Sequence, residues 1–325
     1  NRLKEICDTL VEIKSFQDPV GRELASWNRP NGLNISRVST PLGVIGLIFE
    51  SRPNVAADAG GLCIKSGNAV ILRSGKDGLR SATAIVNSLQ EALIRSELPK
   101  ECIQIVPSES REASTMMLEG LNGSIDVIVP RGGKSLVAEV ERSAKIPVFG
   151  HLEGICHIYV EEYADQEKAL AVCLNAKMRR TGICGAVETI LVNQQIISSF
   201  IPRLIDKLID GGCEIRACNN TLNIDPRAVP ASEEDWSTEY LAPIVSVKSV
   251  SSIDEAIDHI ENFGTGHTES IISENKDNQS TFTKSIDSAI VMINASTQFA
   301  DGGEFGLGGE IGIATGKFHA RGPVG

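Results

Sequence analysis

The stretch RRTGICGAVET, residues 179–189, sets Cys184 among small residues just ahead of Thr189-Ile190-Leu191-Val192, a run of β type. Two readings stand side by side. Cysteine is among the most buried residue types and packs as a small hydrophobe. A thiol at a glycine-flanked turn is also a nucleophile that a substrate can reach. The other seven cysteines are Cys7, Cys63, Cys102, Cys156, Cys173, Cys213 and Cys218, scattered without framework spacing. Several lie in apolar runs such as ECIQIVP and ICHIYV, and for all seven a buried structural thiol is the expectation. No Cys/His set has zinc spacing, so reduced thiols and no metal site are expected.

Two further stretches carry phosphate chemistry. IDVIVP runs into RGGKS, which ends like a P-loop, but that motif needs a glycine at position 128, and the residue is Ile128. G-x-G-x-x-G is absent after the strand-like runs of the first half. What remains is Arg131, Gly132 and Gly133 at a helix start, where backbone N–H groups suit a phosphate or pyrophosphate. A flexible βα turn is the competing reading. LRSGK places Arg73, Ser74 and Lys76 at a strand's carboxyl end. Two cations with a hydroxyl there suit an extra ribose phosphate, which favours NADP over NAD.

The elements that must position these groups alternate. At 325 residues the chain exceeds a single small core, so two domains are expected. Residues 1–15 have a helical apolar period, and a Gly/Pro/Asn-rich joint follows. Then come GVIGLIFE (strand), 54–66 (helix), NAVILR (strand), 81–97 (helix), CIQIVP (strand), 109–120 (helix), IDVIVP (strand), 134–144 (helix) and IPVFG (strand). Near-continuous apolar strands alternating with helices imply a parallel sheet covered on both faces, a doubly wound Rossmann-like domain. The boundary falls near residue 150. A second α/β series follows: HIYVEE, helix 165–178, ETILVN, helix 195–210, IVSVKSV, helix 253–262 and AIVMINAS. The Gly-rich tail from Phe299 reads either as a flexible end or as a shaped binding loop.

Composition removes several function classes. Lys+Arg number 31 against 42 Asp+Glu, a net charge of −11, and no basic run is interleaved with aromatics, so no nucleic-acid partner is expected. No apolar stretch is long enough to span a bilayer and the N-terminus lacks an h-region, so no membrane and a cytoplasmic location are expected.

GVIGLIFESRPNV, SGNAVILRSGK, IDVIVPRGGKS, GHLEGICHIYV, NAKMRRTGICGAVETILV, TEYLAPI, NFGTGHTES, INASTQFADGGEFGLGGEIGI and HARGPVG occur in this order. Together they closely resemble the γ-glutamyl phosphate reductase family, the proline-pathway branch of the aldehyde dehydrogenase superfamily. The resemblance runs from about residue 1 to 325. Relative to that family an N-terminal stretch and the C-terminal end are missing, as expected of a chain trimmed to its ordered part. The resemblance implies an aldehyde-dehydrogenase-like α/β fold. Residues 1–150 form the cofactor domain, with an oligomerisation strand near 33–40 belonging to a small flap. Residues 151–300 form the catalytic domain, and 301–325 a Gly-rich substrate loop leading to an oligomerisation segment. It further implies reduction of L-glutamyl 5-phosphate by NADPH to L-glutamate 5-semialdehyde and phosphate, a homo-oligomer, and handover of the labile substrate from glutamate 5-kinase.

Roles carry over residue by residue. Cys184 matches the nucleophile that forms a thioester, a better hydride acceptor than an oxygen ester; Gly182 and Gly185 leave space for the acyl group. Asn54 in ESRPNV matches a donor to the developing oxyanion, with helix N-capping the alternative. Glu239 in TEYLAPI resembles the E-x-F-G-P glutamate that holds the nicotinamide ribose, although Tyr-Leu-Ala replaces x-Phe-Gly; a solvated loop carboxylate is the alternative. Where hydrolytic members carry a general-base glutamate, GHLEGICH has His151, with Glu153 two residues on. A phosphorylating reductase must not activate water against its thioester; His151 reads either as an acid/base or as a structural residue, the structural reading being preferred. Arg321 in HARGP, with Ser296 and Thr297 in NAST, suits the substrate's α-carboxylate and amino group; Arg52 and His267 are alternative partners for its phosphate or carboxylate. Two competing readings remain: a non-phosphorylating aldehyde dehydrogenase, and a catalytically silent subunit that keeps the fold.

Overall fold

The computed structural model describes residues 2–317. They divide into two compact units, residues 2–152 with Gly306–Gly316, and Glu153–Phe305 with Lys317.

The first unit opens with helix α1 (Arg2–Ser15) and the strands β1 (Glu23–Asn28) and β2 (Asn34–Val38). The doubly wound series follows: β3 (Val44–Phe49), α2 (Val55–Lys65), β4 (Ala69–Ser74), α3 (Leu79–Arg95), β5 (Ile103–Ile105), α4 (Arg111–Leu118), β6 (Val127–Arg131) and α5 (Lys134–Ser143). Strands β3 to β6 make a parallel sheet in the order β5-β4-β3-β6. The period of two along β3 sorts its side chains onto opposite faces. Leu47 and Phe49 pack with Ala56, Ala59, Ala82 and Val86 of α2 and α3. Ile48 turns to the other face, with Met117, Leu118 and Val140 of α4 and α5. Because β4 and β6 flank β3 on opposite sides, the chain reverses direction at β3, and the crevice at the carboxyl ends of β3 and β6 is a topological switch point.

The second unit contains β7 (Cys156–Val160), α6 (Gln166–Met178), β8 (Val187–Asn193), α7 (Ile197–Asp210), β9 (Glu214–Ala217), α8 (Asn219–Ile224), β10 (Val229–Pro230), β11 (Ile244–Val250), α9 (Ile253–Phe263), β12 (Thr268–Ile272), α10 (Lys276–Ser285) and β13 (Ile290–Ile293). Its sheet has the order β10-β9-β11-β8-β7-β12-β13, with every pairing parallel. Ile158 and Ile190 pack under α6 and α7, and Tyr159 and Leu191 under α9 and α10.

Most expected elements form within a few residues of their predicted bounds. The exception among predicted strands is IPVFG, which makes a single bridge between Ile128 and Val148. Pro147 has no N–H to continue a ladder; its carbonyl accepts from Ile128 N and Phe149 N donates back to Ile128 O. The joint read as irregular holds the antiparallel β1–β2 pair, with Leu24, Trp27, Leu33 and Val38 exposed.

Strand β12 (TESII) has no apolar pattern, yet every residue of it is buried. Its Glu269 Oε2 accepts from both the backbone N–H (2.7 Å) and the Nδ1 (3.1 Å) of His157. Beside this pair His259 is packed edge-on to His157 and Trp236 and against Phe263. Its Nδ1 lies 3.1 Å from Lys248 Nζ, so that nitrogen accepts and the ring is neutral. Burial, then the proximity of His157 and Lys248, pushes the His259 imidazolium down to about 3. The folded state therefore resists the proton that the unfolded chain takes up near 6.5. Stability from this site is present above that pH and lost as pH falls toward 3. Between pH 6.5 and 5 the loss is about 2 kcal/mol. Denaturant titrations across that range should show the slope, and His259→Phe should flatten it; an unchanged slope in that variant would contradict the assignment.

Candidate active site

In the first unit the cofactor candidates gather at the carboxyl ends of β3, β4 and β6. Gly133 begins the turn into α5, and its N–H donates to Glu50 Oε2 at 3.2 Å. A Cβ at Gly132 would come within 2.7 Å of that same oxygen. The turn thus receives an anionic oxygen at the start of a helix, with glycine required for its approach. At the end of β4, Lys76 is exposed and 3.7 Å from Glu109. Arg73 reaches the Ser110 carbonyl at 3.4 Å, while its Nε is buried with no partner. Ser74 points inward, 2 % exposed, donating to the Gly75 carbonyl at 3.0 Å. Its hydroxyl serves the local turn rather than an incoming phosphate.

Asn54 is exposed and begins α2 with helical dihedrals and no side-chain cap. The capping alternative therefore fails. Its amide instead donates to Asp58 Oδ2 at 3.2 Å, one turn on, which orients the carboxamide as a donor. Burial raises the Asp58 carboxyl, opposed by the Asn54 bond and by Arg131. Arg52 and Asn54 line a groove of ≈ 750 Å³ together with Arg2, Asp58 and Ser88. Ser51 in the same loop has φ of 46°, a left-handed conformation rare outside glycine and frequent in functional loops. His151 Nδ1 donates to the Ile313 carbonyl at 2.8 Å, joining the loop before residue 152 to the returning Gly-rich segment. Gly308 and Gly309 of that segment lie so close to Phe16 that a Cβ would come within 2.8 and 3.0 Å of its ring. It is a shaped segment.

In the second unit the candidate residues lie at the amino ends of the strands. Cys184 precedes β8, Gly154 and Cys156 open β7, Thr265 and His267 precede β12, and Glu239 and Leu241 precede β11. Glycine at 154 is dictated by contact: a Cβ there would sit 2.1 Å from the Cys184 carbonyl oxygen and 2.7 Å from its Cα. Gly185 is packed likewise, a Cβ meeting the Thr297 carbonyl at 3.2 Å, whereas Gly182 has only the Leu241 carbonyl, at 3.8 Å. So Gly182 alone keeps the expected space; Gly185 is used for backbone packing. Cys156 Sγ donates to the Cys184 carbonyl at 3.1 Å and lies 3.6 Å from His267 Nδ1. Burial, then Glu269 and Cys184, pushes the Cys156 thiol well above the ordinary range, so it remains a donor.

Cys184 is partly exposed, whereas Cys63, Cys156, Cys173 and Cys213 are buried. Burial pushes Cys63, Cys173 and Cys213 up to about 12, which silences them as nucleophiles. The expectation of burial does not hold for the remaining three: Cys7 is exposed, and Cys102 and Cys218 are partly so.

Three residues expected to read substrate are enclosed. His267 is fully buried, its Nδ1 2.9 Å from Thr268 Oγ1. Ser296, 1 % exposed, accepts from Gln298 N and caps the short helix Thr297–Phe299. Thr297 is fully buried with its hydroxyl unpartnered. Gln298 donates to the carbonyls of Ala176 and Arg180, which ties the end of α6 and the approach to Cys184. Arg321 lies outside the described residues. Sequence reasoning missed Glu50, Asp58, Gly154 and Cys156; a glycine two residues ahead of a buried strand marks position 154 as a turn but does not disclose its contact with Cys184.

A model of the aldehyde dehydrogenase family matches residues 4–212 and 226–318. The chain belongs to the aldehyde dehydrogenase family. The γ-glutamyl phosphate reductase of Parvibaculum lavamentivorans is 56% identical over 324 residues, covering all of this chain and 76% of that protein. The solved γ-glutamyl phosphate reductase of Thermotoga maritima is 45% identical with a TM-score of 0.91, covering 100% of this chain and 78% of that one. The chain therefore falls in the γ-glutamyl phosphate reductase branch of the aldehyde dehydrogenase family. An engineered glycolyl-CoA reductase with bound NADP+, 18% identical, has the same fold (TM-score 0.63, covering 96% of this chain and 82% of that one). Aldehyde dehydrogenase family enzymes are oxidoreductases that use nicotinamide cofactors, and this chain shares that chemistry class. Among the described residues no helix is long and apolar enough to cross a membrane.

Proposed function

We propose that this chain reduces L-glutamyl 5-phosphate to L-glutamate 5-semialdehyde, releasing phosphate, with NADPH as reductant and Cys184 as nucleophile. The observation that carries this reading is the partly exposed Cys184, its backbone packed against Gly154 and its carbonyl held by the Cys156 thiol, in a chain that belongs to the γ-glutamyl phosphate reductases. The Cys184 thiolate forms a bond to the acyl carbon as the carbon–oxygen bond to phosphate breaks, and phosphate departs with that electron pair. Bound NADPH would supply the hydride that reduces the resulting thioester. Collapse of the thiohemiacetal expels the aldehyde and restores the thiolate. Asn54, its amide oriented by Asp58, is assigned to the developing oxyanion. The absence of a base glutamate ahead of the cysteine fits a thioester that must be shielded from water. Arg52 and Arg321 are the candidates for the substrate's charged groups, and the exposed β1–β2 pair for joining copies of the chain in a homo-oligomer. Handover from a kinase remains part of this proposal.

For the cofactor, the switch point of the first unit supports Arg131, Gly132 and Gly133 as the pyrophosphate turn, since that turn takes a carboxylate oxygen from Glu50. Arg73 and Lys76 are assigned to the ribose phosphate, and Glu239 to the nicotinamide ribose. Removing Arg73 deletes a charge-assisted contact, so Arg73→Ala should lower kcat/KM for NADPH about 10- to 100-fold and barely alter that for NADH. Equal losses with both cofactors would contradict the assignment. The function itself is tested by supplying L-glutamyl 5-phosphate and NADPH and measuring phosphate against NADPH consumed. After subtraction of the phosphate released spontaneously without protein, one phosphate per NADPH is expected; protein-dependent phosphate release without NADPH consumption would make the chain a hydrolase and overturn the proposal.

A further inference from the structure

We propose that Glu239 is a positioning residue for Cys184, acting through the backbone of Gly154. The proposal rests on Cys184 being the nucleophile and is separate from any contact Glu239 makes with a cofactor ribose. Three observations within the second unit carry it. Glu239 Oε1 accepts the Gly154 N–H at 2.8 Å. Gly154 in turn touches Cys184 so closely that an added Cβ would overlap its carbonyl oxygen, carbonyl carbon and Cα. The acceptor is itself fixed, because Leu241, two residues on, has φ of 50° and donates its N–H to Glu188 Oε1 at 3.4 Å.

The segment 154–156 is therefore held from both sides. Glu239 takes the first N–H, Thr265 Oγ1 takes that of Ile155 at 3.1 Å, and the Cys156 thiol closes onto the Cys184 carbonyl. Removing the Glu239 acceptor leaves the Gly154 N–H without its partner and frees the surface on which Cys184 rests. A misplacement of order 1 Å at a nucleophile costs about 100-fold in rate. The charge of Glu239 is not what the Gly154 N–H needs. A carbonyl oxygen at the same place also accepts, less strongly than a carboxylate, so glutamine should substitute for glutamate in this role and alanine should not.

A cofactor-free acylation separates this role from ribose binding. With p-nitrophenyl acetate as probe, the Cys184 thiolate takes the acetyl group and p-nitrophenolate leaves, giving a burst in the absence of any nicotinamide. Glu239→Ala should slow the burst about 10- to 100-fold with its pH midpoint intact. Glu239→Gln should restore a near-parental rate. Thermal melts of each variant check that the fold is retained. A parental burst in Glu239→Ala, with Cys184→Ser giving none, would overturn the positioning role and leave the nucleophile standing. A burst that survives Cys184→Ser would overturn the nucleophile assignment, and this role with it.

Discussion

Cys184→Ser should lower reductase turnover by about 10⁴-fold or more while moving Tm by no more than about 3 °C. The hydroxyl is a far poorer nucleophile than a thiolate at neutral pH, and an oxygen ester accepts hydride less readily than a thioester. Of the other cysteines, Cys63, Cys173 and Cys213 are held up to about 12 by burial and cannot substitute. Cys156 is fully buried and its thiol donates a hydrogen bond to the Cys184 carbonyl. Steady-state rates with differential scanning calorimetry check both parts of the expectation. Residual turnover within tenfold of the parent would show that another group carries the acyl chain.

The second large effect is on stability. Lys177 in α6 and Glu188 in β8 form an ion pair at 2.5 Å with both side chains fully buried. The Lys177 ammonium also lies 5.7 Å from the Tyr240 ring centroid. Burial raises the Glu188 carboxyl to about 7 even with Lys177 opposing it. Lys177→Met removes the cation and leaves a carboxylate in the core, which should cost about 3–5 kcal/mol at pH 8. The sign with pH follows from the raised value. A group whose folded pKa exceeds its unfolded one contributes stability when protonated, and that contribution is lost as pH rises through the folded pKa. The variant's deficit should therefore shrink as pH is lowered from 8 toward 5. Urea titrations at the two pH values measure it; a deficit that is small at pH 8, or that grows on acidification, would contradict the ion-pair account.

How far the sequence discloses this molecule depends on where each constraint originates. VIGLIF is readable because apolar side chains on both faces are a local property of a parallel strand. TESII is not, since Glu269 enters the core only because His157, 112 residues away, satisfies it. Cys184 could be singled out from its glycine-flanked turn. Gly154 could not, because its requirement is the approach of two backbones distant in sequence. For Asn54 the sequence allows a helix cap or an oxyanion donor, and only its helical dihedrals exclude the side-chain cap. Ser74, Ser296 and Thr297 have the right chemical type for a ligand contact, but exposure, which decides whether a hydroxyl can meet a ligand, is a tertiary property. Their neighbours enclose them.

In the proposed mechanism acyl transfer to Cys184 is coupled to phosphate, and the reverse reaction reads that coupling directly. L-glutamate 5-semialdehyde and NADP⁺ are mixed with the protein, and NADPH absorbance is followed with and without inorganic phosphate. NADPH formation that requires phosphate, and that disappears in Cys184→Ser, is the expected result. NADPH formed at the same rate without phosphate would mean that water resolves the thioester, and would contradict the phosphorylating mechanism.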